Sequence, residues 1–123
     1  MKERCLSTSQ LYKADAGKIR AGLVFEGLPR SLLMVAAVLS YGAQKYEAHS
    51  WKNVSSERYV DARFRHLLDR LAGEDCDDES GLLHEAHELT NSLFILEQKL
   101  ESLDDETFRH LLKFNPPPQG HKE

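Results

Sequence analysis

The sequence predicts an all-α fold, and three observations carry that prediction. Apolar residues recur at 3.6-residue spacing, no segment alternates apolar and polar residues as a strand does, and proline, glycine and capping residues mark helix ends. The length of 123 residues, 41% of them hydrophobic, suits one domain over residues 1–123 with one core.

Residues 1–28 mix polar side chains with three glycines and read as an arm packed on the body. Pro29 sits where a helix starts. From Ser31 to Tyr46 the segment "SLLMVAAVLSYGAQKY" is apolar on nearly every side. Such a helix is normally buried all round, and a domain this small manages that only as a homo-oligomer, dimer or tetramer. "EAHSWKNVSS" is a connection, in which Ser55 or Ser56 caps the next helix.

A second helix spans about Glu57 to Ala72, with Gly73 as its stop. Val60, Phe64, Leu67, Leu68 and Leu71 form its expected core face. After an acidic loop, a third helix covers about Leu82 to Leu103. Leu82, Ala86, Leu89, Leu93, Leu96 and Leu100 line one side of it; His84, His87, Glu88 and Asn91 line the other. A short fourth helix, about Asp104 to Phe114, ends at "NPPP", and residues 115–123 read as a disordered tail.

Several classes are excluded by composition. The net charge of −4, without a basic face, argues against bulk nucleic acid as a partner. No run approaches the ~20 apolar residues of a membrane span, and no signal-peptide pattern is present, so no membrane association is expected. Cys5 and Cys76 follow no zinc-binding spacing and suit a reducing cytoplasm.

The chemistry concentrates in "GEDCDDESGLLHEAHELTN", residues 73–91. Polar helix faces usually just face water, but water-facing positions favour Lys, Glu and Arg over His and Asn. His84, His87 and Asn91 stand at i, i+3 and i+7, so all three can reach one point. Glu74, Asp75, Asp77, Asp78 and Glu79 crowd five carboxylates into six positions, a repulsion that a cation, or equally water and salt, relieves. The loop is not an EF-hand, because Ala86 stands where the twelfth-position Glu is required. With the second and third helices antiparallel, His66 and Asp69 face His87 and Asn91 across a cleft floored by the acidic loop. Lys45, Tyr46 and Trp51 can stack on a base and meet phosphate, although plain packing is the commoner role of a lone Trp. Arg65, Lys18 and Arg20 are further phosphate candidates.

"DAGKIRAGLVFEGLP", "GAQKYEAHSW" and "FRHLLDRLAGEDCDDESGLLHEAHELTNSLFILE" together resemble the phage and bacterial dATP/dGTP diphosphohydrolases, distant relatives of the MazG-type all-α nucleotide pyrophosphohydrolases. The resemblance covers about residues 15–97 and implies an oligomeric four-helix MazG-like bundle. MazG-type enzymes carry E-x-x-E on the second helix and E-x-x-D on the third. Here His66 and Asp69 stand for the first pair, Glu88 matches the second Glu, and Asn91 replaces the Asp. The resemblance implies hydrolysis of a purine deoxynucleoside triphosphate, dGTP or dATP, to the monophosphate and pyrophosphate.

Such a cleavage needs a water aimed at the α-phosphate and cations on the leaving pyrophosphate, two or three Mn2+ or Mg2+ ions counting those that arrive with substrate. The candidate metal ligands are Glu74, Asp77, His84, His87, Glu88, Asn91 and Asp69, and imidazole among them favours Mn2+. Glu88 or His66 is expected to take the proton of the attacking water. The rival readings are a non-enzymatic helical dimerisation module with an acidic loop and a different metal-dependent phosphohydrolase. Only a metal site predicts that Mn2+ raises the melting temperature.

Overall fold

The computed structural model describes residues 19–118. Lys18, the rest of the arm up to it, and tail residues 119–123 lie outside the described residues. Among the described residues five α-helices follow in order: α1 (Gly22–Gly27), α2 (Pro29–Lys45), α3 (Ser56–Leu71), α4 (His84–Glu101) and α5 (Asp105–Leu111). A 3-10 turn, Ser50–Asn53, joins α2 to α3. Among the described residues there is no strand, only an isolated antiparallel bridge between Cys76 and Leu83. The all-α expectation holds there, and no helix is long and apolar enough to cross a membrane.

Local chemistry fixes the helix ends. Pro29 opens α2, where its missing N–H leaves no intrahelical bond unmade. Of the two candidate caps of α3, Ser55 is the one used; its hydroxyl accepts from the Glu57 amide at 3.4 Å. Asp104 caps α5 by accepting from the Thr107 amide at 2.7 Å. Gly73 (φ +100°) and Gly81 (φ +74°) lie in the left-handed region at the two ends of the α3–α4 loop, where a Cβ would be strained. The arm reading missed α1, a short helix of six residues.

α3 and α4 pack against each other as antiparallel neighbours, and α2 lies across α4. The packing face of α3 is not the expected one. Phe64, Leu68 and Leu71 are 52%, 64% and 68% exposed, while Tyr59, Ala62, Arg63, His66, Leu67 and Arg70 are half-buried at helical spacing. On α4 likewise, Leu89, Leu93 and Leu96 stay exposed, while His84, Ala86, His87, Thr90 and Asn91 are buried. Polar pairing between the helices explains the rotation. Arg63 donates to the Ser92 hydroxyl at 3.2 Å, His66 meets His84, and Arg70 meets Glu88, so three polar contacts hold one face to the other. Among the described residues the buried apolar side chains are Val35, Val38 and Ala86.

Candidate metal centre

The α3–α4 loop is fixed by its own backbone. The His84 amide donates to the Asp75 carbonyl (3.0 Å), the Asp77 amide to Leu82 (2.8 Å) and the Gly81 amide to Asp77 (2.8 Å). The Ser80 amide donates to the Asp77 carboxylate at 2.9 Å, and the Leu82 amide donates to the Ser80 hydroxyl at 3.1 Å. Burial disfavours ionisation of Asp77, but these Ser80 bonds outweigh it and hold the carboxyl below its usual range.

This loop delivers acidic groups to three imidazoles. His66 and His84 approach Nδ1 to Nδ1 at 2.9 Å, and the His66 ring stacks on His87 with centroids 4.4 Å apart and 3° between planes. The Ser80 hydroxyl lies 2.7 Å from His87 Nε2. His84 is completely buried, and its Nε2 has no hydrogen-bond partner; Glu74 Oε1 is 3.6 Å away. Two overlapping groups bring ligand atoms close enough to hold one ion: His66, Asp77 and His84, and Asp69, Glu74 and His84. Burial, followed by the nearby His87, pushes His66 below its ordinary value, and burial does the same to His87, so both rings are neutral near pH 7.

A groove of about 1340 Å³ opens beside the imidazoles, with His66, His87, Asn91, Arg65, Tyr46 and Trp51 among its walls. That exceeds the few hundred Å³ of a compact small-molecule pocket.

The expected site residues therefore divide. Asp69, Glu74, Asp77, His66 and His84 gather, with His87 stacked beside them. Asn91 lines the groove and donates its amide to the His87 carbonyl at 2.9 Å. Glu88 stands apart in a two-pronged pair with Arg70, at 2.7 and 3.0 Å, which pulls its carboxyl below the usual range. Tyr46 and Arg65 line the groove, and Lys45 pairs with Glu79 beside it, its pKa raised to about 12 chiefly by that hydrogen bond. Arg20 is exposed and does not line the groove, and Lys18 lies outside the described residues. Trp51 stacks on Phe94, centroids 4.4 Å apart, so one face of the indole is already covered.

Sequence reasoning missed Ser80, Arg70 and Phe94. Ser80 and Phe94 had no signal of their own. Arg70 had one: it lies one turn after His66, on the same face of the helix.

Residues 8–107 match the family described as dATP/dGTP diphosphohydrolase, N-terminal. A dATP/dGTP diphosphohydrolase of Salmonella phage PMBT28 is 41% identical over 83 residues, which are 68% of this chain and 28% of that protein. The chain thus matches well under half the length of that relative. No solved structure gives a significant match. The family match spans 100 residues and contains every residue of both metal-capable groups, and on that ground the chain belongs to the dATP/dGTP diphosphohydrolase family, in its N-terminal region.

Proposed function

We propose that the chain is a metal-dependent hydrolase that converts dGTP or dATP to the monophosphate and pyrophosphate. One observation carries the reading most: His84, fully buried with an unpartnered Nε2 that faces Glu74, contacts His66, which lines a groove large enough for a nucleotide. A buried polar atom without a partner is costly, and such exceptions concentrate at functional sites. The donors Asp69, Glu74, Asp77, His66 and His84 fit a divalent ion, and the mixture of imidazole and carboxylate favours Mn2+ over Mg2+. Such ions, when bound, neutralise charge on the triphosphate and acidify water.

The residues of the chain do the rest. Tyr46, Trp51 and Arg65 line the groove where base and phosphates enter, and Asn91 presents an amide to it. The water oxygen forms a bond to the α-phosphorus, the bond from that phosphorus to the bridging oxygen breaks, and pyrophosphate leaves. The water's proton goes to the His87 imidazole, which lines the groove and which burial keeps neutral. Glu88 is a poorer acceptor than its position on the helix implied, since Arg70 holds it ionised. We further propose that residues 1–123 act as one domain and that the chain assembles as a homo-oligomer, through the apolar stripes that α3 and α4 leave exposed.

The test is a panel of dNTPs with Mn2+, the products separated by chromatography. Purine dNTPs are expected to yield monophosphate and pyrophosphate. Release of inorganic phosphate instead, or no turnover of any dNTP, overturns the proposal.

A further inference from the structure

His84 belongs to both metal-capable groups, yet a neutral imidazole has one lone pair and one N–H. It can ligate through one nitrogen only. The two groups meet it on opposite sides: His66 lies at Nδ1 (2.9 Å) and Glu74 at Nε2 (3.6 Å). Nδ1 is already satisfied by His66, whereas Nε2 is buried and has no partner.

We propose that the resident cation lies on the Nε2 side, held by His84 Nε2, Glu74 and Asp69, and that His66 is a positioning residue rather than a ligand of that ion. His84 then carries its proton on Nδ1 and donates it to His66 Nδ1. The bond fixes the tautomer and leaves the Nε2 lone pair free on the Glu74 side, as the outer partner of a metal-bound histidine commonly does. Asp77 has another task. Its carboxylate accepts from the Ser80 amide and its backbone bonds close the turn at Gly81, so it shapes the loop that supports the site.

The inference rests on the hydrolase reading only in taking this ion to be the one that serves the triphosphate.

The experiment measures Mn2+ binding to the nucleotide-free protein by electron paramagnetic resonance, with hydrolysis assayed separately. One ion per chain is expected. Asp69→Asn and Glu74→Gln should each weaken it by at least ~10-fold, while the isosteric Asp77→Asn stays within ~3-fold. Circular dichroism of each variant without metal establishes that it is folded. In long-range 1H–15N spectra with diamagnetic Zn2+, the His84 proton should sit on Nδ1. A loss in Asp77→Asn as large as that in Asp69→Asn, a proton on Nε2, or no Mn2+ bound by the parent overturns the assignment. Active protein with any of those results keeps the hydrolase reading and rejects this site. Bound Mn2+ with no dNTP turnover does the reverse.

Discussion

Helix α4 has two faces that reverse the usual arrangement. His84, His87, Thr90 and Asn91 are buried, whereas Leu89, Leu93 and Leu96 are 43%, 39% and 51% exposed. Helix α3 repeats the pattern, with His66 and Arg70 turned inward and Phe64, Leu68 and Leu71 outward. Polar groups are normally left in water because burying them without partners costs about 1–3 kcal/mol each. Here the inward polar face is satisfied by cross-helix pairs at Arg63, His66 and Arg70, by carbonyls of its own helix at Thr90 and Asn91 and by Ser80 at His87, with His84 Nε2 left over among the described residues. On the proposed reading the two faces serve different partners: the polar face a cation and nucleotide, the apolar face a second copy of the chain.

The largest expected effect lies on the polar face. His84→Asn, or thorough chelation of the parent protein, should lower dNTP hydrolysis by about 100-fold or more while far-UV circular dichroism stays near parental. Unchanged turnover after either treatment would place the chemistry elsewhere and break the contrast between the faces.

On the apolar face, Leu68→Glu should leave the helices intact and raise the dissociation constant of the assembly by about 30-fold or more, the scale of one buried hot-spot side chain. Light scattering across a dilution series reads this directly. A parent protein that stays monomeric at high micromolar concentration removes the partner from the argument.

A smaller effect separates the faces by pH. Burial first, then neighbouring charge, holds folded His66 below its ordinary value of 6.5, and burial does the same to His87. Below about pH 6.5 the unfolded chain takes up protons that the folded chain resists, so stability should fall as pH drops from there. In chelator, the melting temperature of the parent should therefore fall as pH is lowered through 6 to 5.5, about the range in which His titrates. His66→Gln and His87→Gln should flatten the slope, and Leu68→Glu should keep it. A parental slope in both His variants would assign the pH dependence to other groups.

The smallest effect serves as a control away from both faces. Lys45 and Glu79 form an ion pair whose side chains are 39% and 60% exposed. Lys45→Met should move the melting temperature by less than about 3 °C, because exposed pairs contribute little. A drop several times larger would mean that this pair, and not the inward face, anchors the acidic loop.

Much of this was legible in the chain. Helical periodicity, Pro29, Ser55, Gly73 and Asp104 determine where helices lie, because capping and backbone sterics act within a few residues. The cluster of His66, Asp69, Glu74, Asp77 and His84 was also foreseeable, since a loop between antiparallel helices returns the chain to the same height. What only the tertiary structure decided is which side of each helix faces inward. Periodicity marks two faces but assigns neither to the core: Phe64, Leu68 and Leu71 spell a core stripe as well as any residues could, yet they are exposed in a single chain. Pairing between distant residues made the choice. Arg70 clamps Glu88, Phe94 takes one face of Trp51, and His66 occupies His84 Nδ1. Residues 18 or more positions apart meet in each of these contacts, and no local spacing encodes such a meeting.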